Sequence, residues 1–169
     1  MERNKADIFI SIIDNHKGIL YKIVDLYCKD ELDRKDLTQE IILQLWKSFD
    51  SYNEQFKHST WIYRIALNVS ISFYRKEKTR RKILTPFSDD IFNRTDAQKN
   101  PDIDIKRTLL QQFLSELKEL DKALMLLYFE EKSHKEIAEV IGISQTNVAT
   151  KINRIKVLLK QKFLQAKLY

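Results

Sequence analysis

The chain has 169 residues, enough for two small domains with modest cores, and carries 30 Lys+Arg against 24 Asp+Glu for a formal charge of +6. That balance leans towards a polyanionic partner, and the single cysteine, Cys28, excludes an intrachain disulfide and a multi-cysteine metal site, so a reducing cytoplasm is the expected compartment. His16, His58 and His134 lack ligand spacing and charges interrupt the amino-terminal apolar residues, so neither a metal nor another cofactor nor membrane insertion is expected.

Apolar residues recur at three- and four-residue spacing with almost no glycine or proline, which predicts an all-α chain with helices near 5–14, 17–29, 34–49, 60–80, 106–118, 121–130, 134–141 and 145–165. Cys28 falls in the second of these and reads as a core thiol rather than a nucleophile. In the third, Leu37, Ile41 and Leu45 form a core-facing stripe, yet Leu43 and Trp46 fall nearly opposite, beside Asp36 and Gln39, with Glu40 at the edge. A helix of a small domain cannot bury two faces internally, so the second face is either a protein docking surface or is wrapped by neighbours.

The polar loop 50–59 carries Tyr52 and Phe56, as core anchors or as the lining of a pocket for an unstacked base. The helix that follows is capped by Ser59 or Thr60 and should turn Ile62, Ile65, Ala66, Val69 and Phe73 inward. Arg64, Asn68, Ser72 and Arg75 follow one another outside, with Trp61, Tyr63 and Tyr74 interleaved. Such a face suits a nucleic-acid strand, or it is simply a solvated amphipathic surface. Arg75 leads into a basic run, Lys76, Lys78, Arg80, Arg81 and Lys82. Helical periodicity then lapses around Pro86 and Pro101, and Asp89, Asp90, Asp96, Asp102 and Asp104 make this stretch a flexible acidic linker, 84–105, between domains 1–83 and 106–169.

The second domain holds SHKEIAEVIGISQTNVATKINRIK, the spacing of a helix-turn-helix. Ser133 and Glu136 can form a capping box, Gly142 stands where a left-handed residue ends the first helix, and Ser144 can cap the second. Val148, Ile152, Ile155 and Leu159 give the second helix a buried stripe, while Thr146, Asn147, Thr150, Asn153 and Arg154 point away from it, as a helix in a major groove requires. An ordinary helical hairpin with a solvated face is the alternative.

Taken together, these segments resemble the sigma-70 type RNA polymerase sigma factors, in particular the short extracytoplasmic-function subgroup. DLTQEIILQLW is similar to that family's region 2.2, STWIYRIALNVSISFYRKEKTRR to regions 2.3 and 2.4, and YFEEKSHKEIAEVIGISQTNVATKINRIKVLL to region 4.2, in the family's order and over nearly the whole chain. The resemblance implies a non-enzymatic promoter-specificity subunit that binds core RNA polymerase through its two largest subunits, recognises promoter DNA and is restrained by an anti-sigma factor. Asp36, Gln39, Glu40, Leu43 and Trp46 would then dock on the polymerase, and helix 106–130 would help dock the second domain. Asn53, Phe56, Lys57, His58 and Ser59 would capture a base of the minus-10 element, with Arg64, Asn68, Ser72 and Arg75 along the same strand. Gln145, Thr146, Asn147, Thr150, Lys151 and Arg154 would meet the minus-35 element. A stand-alone helix-turn-helix regulator would explain the last segment but not the two-faced helix, and no nucleophile, base and metal-spaced carboxylate set supports an enzyme such as a helical nuclease.

Overall fold

A computed structural model describes residues 4–84 and 101–166. Among these residues the chain is all-α: α1 Lys5–Tyr27, α2 Glu31–Ser48, a 3₁₀ turn Phe49–Ser51, α3 His58–Leu84, α4 Pro101–Ser115, α5 Glu119–Phe129, α6 His134–Ile141 and α7 Gln145–Ala166. Two compact units form, with their principal bodies on either side of residue 85.

In the first unit α1, α2 and α3 pack against one another. Leu20, Ile23, Val24 and Tyr27 of α1 meet Leu37, Ile41 and Leu45 of α2 and Trp61, Ile62, Ala66 and Leu67 of α3 in one core. Each large aliphatic side chain buried there contributes about 1.5–3 kcal/mol. The expected break between residues 14 and 17 is absent, and α1 is one helix. His16 helps explain why: its Nδ1 donates to the Ile12 carbonyl at 2.8 Å, and Gly18 is carried inside the helix at an exposed position. Glycine weakens a helix by about 1 kcal/mol without ending it, and the buried stripe that follows outweighs that cost. Asp30 was not foreseen as a cap; its carboxylate accepts from the Leu32 and Asp33 amides at 3.0 and 3.2 Å, so α2 opens three residues earlier than 34.

Helical structure also extends into the range read as linker. α3 runs to Leu84, and α4 opens at Pro101 because a proline at the first helical position lacks only an amide that would have no partner there. Residues 85–100, with Pro86 and the acidic residues Asp89, Asp90 and Asp96, lie outside the described residues.

In the second unit α4 and α5 pack on α7, joining Phe113, Leu117, Leu124 and Leu127 to Val148, Ile152, Ile155 and Leu159. α5 ends in a Schellman arrangement, with the Lys132 amide donating to the Leu127 carbonyl and the Glu131 amide to the Tyr128 carbonyl, and Glu131 takes the left-handed φ of 56° that glycine usually fills. α6 has the predicted bounds. Its capping box is complete, since the Glu136 amide donates to Ser133 Oγ at 3.2 Å and the Ser133 amide donates back to Glu136 Oε2 at 2.9 Å. Gly142 then turns the chain at φ 79°.

The chain's two glycines should respond oppositely to alanine. A Cβ would meet nothing within 4 Å at either, so only backbone conformation differs. In urea denaturation Gly18→Ala should stabilise by about 0.5–1 kcal/mol, because it restrains the unfolded chain at a helical site. Gly142→Ala should cost about 1–2 kcal/mol through left-handed strain.

Candidate nucleic-acid interface

The surface of α2 is divided between core and solvent. Leu37, Ile41 and Leu45 are wholly buried, whereas Leu43 is 44% and Trp46 36% exposed, with Asp36, Gln39 and Glu40 exposed beside them. Among the described residues neighbours therefore cover this second face only in part. Trp46 is nonetheless held on one side. The Phe9 ring meets it edge-on at 5.1 Å, Lys5 Nζ lies 4.7 Å from its centroid, and Phe49 stacks at 6.5 Å. An aromatic with one packed and one open face, ringed by carboxylate and amide groups, suits a protein partner.

The loop before α3 is organised from within. The Tyr52 hydroxyl donates to the Phe56 carbonyl, the Gln55 amide donates to Asn53 Oδ1 at 3.3 Å, and Glu54 is held at φ 55°. Tyr52 lies 5.0 Å from Trp61 and 5.0 Å from His58, so it anchors the loop to the core and also lines an open cavity of about 670 Å³. Burial and then the Glu54 carboxylate push the phenol up from its ordinary value. Phe56, Lys57, His58 and Ser59 complete one side of the cavity, and His16 of α1 supplies another wall. His16 was not foreseen as a site residue. No local pattern marks it, because only the packing of α1 brings it there.

Arg64, Asn68, Ser72 and Arg75 lie exposed along α3, as expected, and the Arg64 guanidinium stands 6.0 Å from the Phe56 ring. Two expectations for this helix are corrected. Trp61 and Tyr63 are buried rather than interleaved on the outer face, and Tyr74 is half-buried with its ring 6.1 Å from Tyr27. Ile62 and Ala66 are fully buried as expected, but Ile65, Val69 and Phe73 are only half-buried while Leu67 and Ser70 take core positions. The reason is that α3 packs on α1 and α2 at once, so its first turns are enclosed on more than one side. Part of the basic run is used in pairing: Arg80 reaches Glu77 at 3.1 Å and Arg81 reaches Asp33 at 2.9 Å.

In α7, Val148, Ile152, Ile155 and Leu159 are buried and Gln145, Thr146, Asn147, Thr150 and Arg154 are exposed. Ser144 caps the helix by accepting from the Asn147 amide at 3.2 Å. Lys151 is half-buried, the usual state of a long stem lying on apolar surface with its ammonium outward. The Thr150 hydroxyl donates to the Thr146 carbonyl at 3.0 Å and keeps its lone pairs for an outside donor. Among the described residues no group of three or more His, Cys, Asp or Glu side chains could hold a metal, and no helix is long and apolar enough to cross a membrane.

Comparison with known proteins assigns both units. Residues 12–80 match the family model Sigma-70 region 2, and residues 107–159 match Sigma-70, region 4. The extracytoplasmic-function sigma factor SigW of Bacillus subtilis is 26% identical over 173 residues, spanning 95% of this chain and 91% of that one. SigX of the same organism is 27% identical, spanning 91% and 83%. In fold, the chain is similar to CnrH solved in complex with the cytosolic domain of CnrY, at a TM-score of 0.66 and 21% identity over 96% of this chain and 90% of that one. It is also similar to the sigma factor RpoE solved with the anti-sigma factor NepR from Bartonella quintana, at 0.63 and 15% over 89% and 97%.

Cys28 takes no part in these surfaces. Burial, reinforced by Asp33 and opposed by Arg34 and Arg81, pushes its thiol up from 9.0 to about 11. The unfolded chain therefore loses this proton first as pH rises, and the thiol's contribution to stability is intact below 9.0 and lost towards 11. At pH 8, native protein should react with iodoacetamide roughly a hundredfold more slowly than urea-unfolded protein, read by mass spectrometry. Equal rates would contradict the buried thiol.

Proposed function

The chain belongs to the sigma-70 family of RNA polymerase sigma factors, in its extracytoplasmic-function subgroup, and from that membership we propose which of its surfaces carries each step. Its function is to bind core RNA polymerase and to direct promoter recognition and transcription initiation, with no covalent chemistry of its own. On this reading domain 1–83 docks on the polymerase and opens DNA, domain 106–169 reads the minus-35 element, and 84–105 connects them. The outer face of α2, with Asp36, Gln39, Glu40, Leu43 and Trp46, takes the largest subunit, while α4 and α5 help dock the second domain on the other large subunit.

The cavity lined by Phe56, Lys57, His58 and Ser59, with Asn53 in the same loop, takes a base of the minus-10 element. Arg64, Asn68, Ser72 and Arg75 hold the strand it belongs to. Unstacking a base costs a few kcal/mol, and enclosure together with phosphate neutralisation offsets that cost. Gln145, Thr146, Asn147, Thr150, Lys151 and Arg154 contact the minus-35 major groove from α7. With only two basic residues among those six positions, α7 relies on the polymerase and on the minus-10 contact to stay on DNA. An anti-sigma factor, the kind of partner named for the solved RpoE complex, is the natural restraint, and the cytoplasm is where this work is done.

The observation that carries this reading is the division of α2 into a wholly buried stripe and an opposite face bearing a part-open tryptophan. The double substitution Leu43→Ala, Trp46→Ala should weaken binding of the full chain to core polymerase by at least about tenfold, as loss of a central anchor does. Binding to a duplex carrying the minus-35 element should not change. Loss of both would mean unfolding, and loss of neither would remove α2 from the interface.

A further inference from the structure

The cavity at the start of α3 is completed by a residue from another helix. His16 reaches it from α1, and its ring is oriented by its own backbone: Nδ1 lies 2.8 Å from the Ile12 carbonyl oxygen. A carbonyl can only accept, so Nδ1 carries the proton, and in the neutral ring Nε2 is left as an acceptor. Nε2 stands on the part of the ring turned away from that bond. The ring centroid is 6.2 Å from that of His58, which in turn lies 5.0 Å from Tyr52, and Glu54 and Lys57 are the charged residues of the same cavity.

We propose that His16 is a specificity-determining residue of the minus-10 contact, its Nε2 accepting a hydrogen bond from the exocyclic amine of the captured base. The inference rests on the reading of this cavity as a base pocket. About 670 Å³ is ample for a nucleobase. Adenine and cytosine carry an amino group on the edge that pairing normally hides, and leaving the stack exposes it. Guanine and thymine carry carbonyl oxygens at those same positions, C6 and C4, and would set a lone pair against a lone pair there, while the 2-amino group of guanine lies at the opposite end of its pairing edge. Tyr52 spends its hydroxyl on Phe56, and Glu54, Gln55, His58 and Ser59 line the cavity from the loop side and the start of α3, whereas His16 enters from α1 with its ring oriented by the Ile12 carbonyl.

Selection from a randomised single-stranded DNA by holoenzyme assembled from the full chain and core polymerase tests this directly. Wild type should enrich adenine or cytosine over guanine and thymine at one position by roughly three- to tenfold, the worth of one hydrogen bond. His16→Asn keeps a donor for the Ile12 carbonyl but removes the acceptor beyond it, and should bring that position to parity while other preferences stay. His16→Gln, whose amide reaches the Nε2 position, should bind as tightly as wild type. An unchanged preference in His16→Asn, or loss of all binding in both variants, overturns the proposal while the pocket stands. If wild-type holoenzyme selects no base at any position, the pocket reading falls and the proposal with it.

Discussion

The narrow buried stripe of α2, and the similar one of α7, is the constraint from which the rest of this molecule follows. A unit of three helices has room for one core, and α2 gives it only Leu37, Ile41 and Leu45. The rest of that helix is half-buried at best, whatever its polarity. Leu43 and Trp46 are therefore a cost of folding that a partner can recover, and they are set in a fixed relation to Asp36, Gln39 and Glu40 by the helical repeat alone. The same rule operates in α7, where one buried row leaves a polar row of complementary phase. The surfaces proposed for recognition in both units are what remains after the core has been satisfied.

What positions these surfaces is local chemistry at the helix ends. The reciprocal bonds of Ser133 and Glu136, the left-handed Gly142 and the Ser144 cap determine where α6 stops and α7 starts, within a turn of three residues. In the first unit a different device acts. Asp30 starts α2, Arg34 Nε donates to the Cys28 carbonyl at 3.1 Å, and Arg81 of α3 reaches Asp33, so the corner between α1 and α2 is tied from both sides. Ion pairs of this exposure contribute little stability, and their value is in the angle they maintain.

These differences also explain what could be read from the residues alone. Capping residues and glycine act through covalent neighbours, so α6 and the start of α7 were legible to the residue. Continuity of α1 was not, because Asn15, His16 and Gly18 are weak helix formers whose cost is overcome only by packing further along the helix. Glu131 in a left-handed turn carries no sequence signal at all. The outward positions of α2, α3 and α7 followed from periodicity, whereas the burial of Trp61 and Tyr63 depended on enclosure of α3 by two partners, and His16 entered the cavity through contacts distant in sequence.

The clasp that Phe9 and Lys5 place on Trp46 has an energetic meaning of its own. A free tryptophan on a surface must surrender its rotameric freedom when it is captured, and that loss subtracts from affinity. Here folding has already made the surrender, since α1 fixes one face of the indole before any encounter. Phe9 is buried and belongs to the first turns of a different helix, yet it sets how ready the anchor is to engage. With Trp46 as the proposed anchor, affinity for a large partner becomes adjustable from a position that need never touch it, through entropy.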